Sequence, residues 1–176
     1  MKIEFYKYQG SGNDFIIMDN RNRQYDFLDA HQVKKLCDRK FGIGADGLML
    51  LNAKEGYDFE MKYFNADGNA STMCGNGGRC MVKFAYNMGI HKYTYKFMAI
   101  DGEHEAEIDI HNIVRLKMCN VTHVEYHNGH AILNTGSPHF VKYVSDIMNV
   151  DVVESGRDIR ESKEFVEEGI NVNFVE

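Results

Sequence analysis

The chain has 176 residues, 44% of them hydrophobic and 26% charged, with a formal net charge of −6. Such a composition fits a soluble globular protein of one ordinary domain or two small ones. The negative charge argues against nucleic acid as a general partner, and no apolar run is long enough to span a membrane. The four cysteines are too few for a disulfide scaffold, so reduced thiols and a cytoplasmic location are expected. The first residues alternate like a strand and lack the apolar core of a signal peptide.

Lys2 to Tyr8 alternates polar and apolar residues, and Asp14 to Asp19 reads as a second strand. The turn Gln9-Gly-Ser-Gly-Asn13 between them predicts a hairpin with Asn13 at its tip. There an asparagine either supports the turn or touches a ligand. Asp29 is placed to cap a helix running to about Lys40, with Val33, Leu36 and Cys37 on its apolar face. Gly42-Ile-Gly-Ala-Asp-Gly47 leads into the apolar run Leu48–Leu51. These glycines lack the Lys-Ser/Thr of a phosphate loop and no strand precedes them, so a nucleotide site is rejected.

Phe59 to Phe64 reads as a strand, and Met81 to Gly89 as a helix stopped by Gly89. Between them lies Asn65-Ala-Asp-Gly-Asn-Ala-Ser-Thr-Met-Cys-Gly-Asn-Gly-Gly-Arg-Cys80. Cys74 therefore sits where a Gly-rich turn enters a helix, among free backbone N–H groups at the positive end of the dipole. Helix starts favour thiolates, which makes Cys74 a candidate base or nucleophile. The glycines at 75, 77 and 78 are poor helix formers, and their expected benefit is close approach of a ligand. A carboxylate could bind the Gly75 and Asn76 amides beside the sulfur. Cys80 is six residues further on, about 240° around the axis, so it points elsewhere and is expected in the core. Arg79 opposes the dipole, which suggests either a carboxylate partner or a plain surface position.

Tyr93–Asp101, His104–His111 and Ile113–Cys119 read as strands joined by tight turns at Asp101-Gly102 and His111-Asn112. His123 to Leu133 reads as a hairpin around Asn128-Gly129. His123, His127 and His130 fall on its arms without a carboxylate or cysteine spacing that completes a metal set, so no metal is expected. Thr135-Gly-Ser-Pro-His139 is a second unusual turn, in which His139 either meets a substrate or satisfies a turn carbonyl. Val152 to Ile159 predicts a short helix, Phe165 to Gly169 a loop, and Asn171 to Glu176 a strand with an open edge.

Seven segments together resemble the diaminopimelate epimerases: Gly10–Phe15, Gly42–Gly47, Phe64–Gly68, Met73–Cys80, Gly136–His139, Gly156–Arg160 and Asn171–Phe174. They occur in that family's order along the whole chain. Proline racemases, which share the fold, typically carry His two residues after the thiol, where this chain has Asn76. The phenazine-synthesis isomerases lack the cysteine. The resemblance implies two similar α+β domains, each a twisted, barrel-like sheet wrapped around a central helix. The first would cover residues 1–118. The second, residues 119–176, would be incomplete.

By the same resemblance, the activity is conversion of LL- to meso-diaminopimelate in lysine and peptidoglycan precursor synthesis. The reaction needs no cofactor and uses one thiol on each face of the α-carbon. Cys74 would be one thiol, and Gly75 and Asn76 would hold the reacting carboxylate or amine. Asn13, Asn65 and Asn171 would hold polar groups of the substrate, and His139 would border the site. Ser137 stands where the family often has Asn. The family's second thiol lies in an Ala-Cys-Gly segment, which is not found here, and none of Cys37, Cys80 or Cys119 matches it. The chain is therefore expected to be a piece of an epimerase, or a short form completed by another polypeptide, and inactive alone. A homodimer is a further arrangement to consider. The alternatives are a non-catalytic binding module and a proline-racemase-type isomerase.

Overall fold

The opening hairpin forms from β1 (Tyr6–Gly10) and β2 (Asn13–Asp19), paired antiparallel up to Gly10 and Asn13. Its two-residue turn, Ser11-Gly12, has positive φ at both positions (55° and 83°), the twist that suits a tight hairpin. The computed structural model describes residues 3–176. The expected strand start at Lys2 lies outside the described residues. Two compact units are present, Met1–Lys117 and Met118–Glu176.

In the first unit, α1 (Ala30–Cys37) opens with a capping box in which Asp29 and Gln32 exchange side-chain and backbone hydrogen bonds. It ends at Cys37 rather than Lys40 because the Asp38 carboxylate accepts from the Lys40 and Phe41 N–H groups and turns the chain outward. The apolar run expected at 48–51 is β3 (Gly47–Asn52), parallel to β2. It is followed by β4 (Phe59–Asn65), α2 (Gly75–Asn87), β5 (Thr94–Ala99), β6 (Gly102–Ile108) and β7 (Val114–Leu116). The β5–β6 turn is Ile100-Asp101, one residue earlier than expected, with Ala99 paired to Gly102. The last strand stops at Leu116 and does not reach Cys119.

The seven strands lie in sequence order, and α2 touches both edge strands, β1 and β7. Laid flat, seven strands at a spacing of about 4.8 Å would be about 29 Å wide, against about 10 Å for a helix with its side chains. The sheet must therefore curl around α2. Alternation along its strands splits the core in two. Phe15, Ile17, Met49 and Leu51 face α2 with Met81 and Phe84. Ile16, Met18, Leu48 and Leu50 face outward, where Tyr25 and the α1 residues Val33 and Cys37 cover them. Burial on both faces is why β3 reads as a continuous apolar run.

In the second unit, β8 (Val124–His127) and β9 (His130–Asn134) form the hairpin expected around Asn128-Gly129. After β10 (Pro138–Tyr143), α3 (Val152–Arg160) leads to β11 (Asn171–Val175), which pairs parallel to β10. The sheet order is β11-β10-β9-β8. The run β9, β10, α3, β11 thus repeats the topology of β1, β2, α1, β3: an antiparallel pair, a helical crossover, then a parallel strand. No helix among the described residues is long and apolar enough to cross a membrane.

Candidate functional site

Cys74 is the N-cap of α2, with extended backbone and a half-buried side chain. Its Sγ accepts the Gly77 N–H at 3.2 Å, in the position an N-cap oxygen ordinarily takes. The N–H groups of Gly75 and Asn76 have no partner among the described residues. The sulfur and two unpaired amides thus share one helix start.

The helix begins at Gly75, six residues before the Met81 start that propensity suggests. Packing explains this. A Cβ on Gly77 would sit 3.2 Å from Met49 Sδ and 3.3 Å from Met61 Cε, and one on Gly78 would lie 2.9 Å from both Leu116 Cδ2 and Met73 Sδ. These two glycines are buried and let α2 approach the sheet; they do not open space for a ligand as expected. Arg79 donates to the Asn76 side-chain oxygen rather than to a carboxylate.

Asn13, the first residue of β2, reaches Cys74: its Oδ1 lies 3.7 Å from Sγ and accepts the thiol hydrogen. Its Nδ2 donates to Asp46 Oδ2 at 2.7 Å. Asp46 also accepts the Asp14 N–H at 3.1 Å and Arg39 Nη2 at 2.7 Å. Arg39 and Lys7 both donate to Asp14, and these cations hold its carboxyl well below the usual carboxylate range. Asn65 ends β4, and register puts Phe15, Gly47 and Asn65 on one row, so Asn13 and Asn65 lie at the same end of the sheet. Tyr63 is mostly buried there, and burial pushes its phenol upward, so it stays protonated.

Sequence reasoning missed two groups here. Asp46 is 33 residues from Asn13, and only the parallel pairing of β2 with β3 brings them together. Asp101 accepts the Met73 N–H at 3.2 Å, directly before Cys74, and its Oδ1 also lies 3.2 Å from Nε2 of buried His104.

In the second unit, register sets His139 directly beside Asn171. His139 lies within β10, not in the turn where the sequence placed it, because β10 starts at Pro138. Asn171 Nδ2 donates to Ser137 Oγ at 3.2 Å. Asn173, not singled out from the sequence, donates from Nδ2 to the Phe140 carbonyl at 3.3 Å, and the same nitrogen lies 3.0 Å from His139 Nδ1. The other ring nitrogen, Nε2, lies 3.3 Å from Ser137 Oγ.

His127 and His130 pair across the β8–β9 turn with rings stacked at 4.8 Å. His123 and His127 approach Glu125 at 3.7 and 3.8 Å. Among the described residues no His, Cys, Asp and Glu group is arranged to hold a metal ion. A cavity of about 570 Å³ lined by residues including Arg21, Arg23, Glu60 and Lys62 includes none of the candidate residues. Polar groups, one cluster in each unit, mark the candidate residues; cavity size does not.

The diaminopimelate epimerase family profile matches residues 5–124. The diaminopimelate epimerase of Flavobacterium psychrophilum is 50% identical over 173 residues, which are 98% of this chain and 68% of that protein. The one from Chlorobaculum tepidum is 44% identical over 176 residues, covering 95% of this chain and 67% of that protein. Among solved structures, a phenazine biosynthesis protein from Bacillus anthracis matches with a TM-score of 0.65 at 14% identity, over 82% of this chain and 57% of its own. A probable proline racemase from Agrobacterium radiobacter matches at 0.63 and 14%, over 91% of this chain and 59% of its own. At that identity the two structures speak for the fold alone: a curled sheet around a helix. On the sequence relationship, the chain belongs to the diaminopimelate epimerase family of isomerases.

Proposed function

We propose that Cys74 is one of the two thiol bases that invert the α-carbon of diaminopimelate, converting the LL to the meso form without a cofactor. The observation that carries this reading is Cys74 Sγ seated beside the unpaired Gly75 and Asn76 amides at the start of α2. As a thiolate, Sγ removes the α-proton. The electron pair left behind spreads into the α-carboxylate, whose oxygens gain charge. The two amides and the helix dipole stabilise that charge where it develops. A thiol on the opposite face donates its proton to the carbon, so one S–H bond forms as the other breaks. Asn13 and Asn65, at the same end of the first unit's sheet, hold the substrate's remaining polar groups.

The second base is not supplied by Cys37 or Cys80. Both are buried, and burial pushes each thiol up to about 11. Cys119 is exposed, outside any strand or helix. No Ala-Cys-Gly segment occurs in the 176 residues. The chain by itself therefore holds substrate against one base, and turnover needs a second thiol from outside these residues. The substrate is a small amino acid in the cytoplasm, and four unpaired cysteines support that compartment. The second reading, a non-catalytic binding module, is favoured by the single placed thiol.

Alkylation with iodoacetamide, resolved by cysteine in a mass spectrometer, tests the site. Cys74 is expected to react well ahead of Cys37 and Cys80, and diaminopimelate to slow Cys74 selectively. Equal labelling of Cys74 with and without diaminopimelate would sink the reading.

A further inference from the structure

We propose that Asp46 is a positioning residue for Cys74, acting through Asn13; the proposal rests on Cys74 being the base. A carboxylate can only accept hydrogen bonds, so Asn13 must turn its NH₂ toward Asp46 Oδ2, 2.7 Å away. The other end of the same amide, the acceptor Oδ1, is thereby committed to Cys74 Sγ at 3.7 Å. Asp46 is itself held from three directions. Its Oδ2 takes the Asp14 N–H, its Oδ1 takes Arg39, and its own N–H donates to the Asp14 carbonyl at 2.9 Å. An amide that turned around would offer two N–H donors to the sulfur and face a carboxylate with a carbonyl. The carboxylate forbids that state.

The effect on the thiol is directional. Sγ meets a donor on one side, Gly77 N–H, and an acceptor on the other, Asn13 Oδ1. Its hydrogen is parked on the Asn13 side, which keeps a lone pair directed along the helix start. Asp46 thus decides that the resting sulfur meets an acceptor at Asn13 and carries its proton there. This assigns a task to the Gly42–Gly47 segment other than nucleotide binding: it delivers a carboxylate to the tip of the β1–β2 hairpin.

The test is a double-mutant cycle on the iodoacetamide rate of Cys74 at pH 7, with Asp46→Asn and Asn13→Ala singly and together. The amide introduced by Asp46→Asn can present either of its ends, so it no longer fixes Asn13. Asp46→Asn is expected to speed alkylation about fivefold when Asn13 is present and less than about twofold in the Asn13→Ala background, since only coupled residues depart from additivity. Arg39→Gln breaks the ion pairs to Asp14 and Asp46 but spares the Asn13 bond, and its rate is expected to stay within about twofold of the parent. Continued protection of buried Cys37 and Cys80 in the same spectra reports that each variant is folded. Equal factors in both backgrounds, or a fivefold effect from Arg39→Gln, would overturn the role of Asp46 alone. A parent in which Cys74 is no more reactive than Cys37 would overturn the underlying reading as well.

Discussion

Gly47 is the position where sheet packing and site geometry meet, and Gly47→Ala should break both. The residue starts β3, flanked by Phe15 on β2 and Asn65 on β4. Its backbone is not left-handed, so alanine is acceptable conformationally and the objection is steric. A Cβ there would lie 2.5 Å from Tyr63 Cε2 and 2.6 Å from the Phe64 carbonyl oxygen. The ring is packed in the core and the carbonyl belongs to the sheet ladder, so β4 must move. Overpacking of this kind costs about 1–3 kcal/mol. Losing a glycine from a strand returns about 0.5–1 kcal/mol. With a backbone atom in the clash the upper part of the range applies, which leaves a net loss of about 2 kcal/mol. At about 2–4 °C per kcal/mol, the midpoint should fall by about 4–8 °C. Pulse alkylation of Cys37 and Cys80 against temperature reads the unfolding of the first unit directly, since both thiols are buried in it. The displaced β4 carries Asn65, so diaminopimelate should also protect Cys74 less well. A midpoint unchanged or raised in Gly47→Ala would refute the packing argument.

Gly156, inside α3, is the opposite case: no atom lies within 4 Å of its would-be Cβ, so Gly156→Ala should stabilise the second unit by about 0.5–1 kcal/mol, read as slower hydrogen exchange along β10 and β11. The Asp14 carboxyl is depressed in the folded state by Arg39 and Lys7. A depressed acid stabilises above its unfolded value, about 3.9, and that stability is lost as pH falls through the folded value. Urea titrations should therefore separate parent from Asp14→Asn above about pH 4, with the gap closing as pH drops below about 3; a gap that widened in acid would contradict the ion-pair assignment.

Much of this architecture is legible locally. Asp29 and Gln32 close a capping box three residues apart, and Gly129, with φ of 87°, supplies the positive φ of the β8–β9 turn. The unbroken apolar run of β3 already signals burial on both faces. What escaped local reasoning depends on partners distant in sequence. Gly77 and Gly78 look like turn residues because their value lies in contacts with Met49, Met61 and Leu116, which override helix propensity. His139 looks like a turn residue because Pro138 precedes it, yet β9 and β11 flank it on both sides. Cys74's place at a helix start was legible, while Asp46 bonds its neighbour Asn13 only through sheet pairing and Asp101 meets the preceding Met73 N–H only through the β5–β6 turn.

The central claim is that Cys74 is a base for diaminopimelate. Its most direct test adds to this chain the part of the Flavobacterium psychrophilum relative outside the 68% that aligns with it. Conversion of LL- to meso-diaminopimelate is then followed by chiral chromatography. The completed protein should turn over, the 176 residues alone should not, and Cys74→Ala should lower the completed protein's rate by about 10²–10⁴-fold, the usual loss for a removed acid–base group. A Cys74→Ala protein that epimerises at the parental rate would contradict the account.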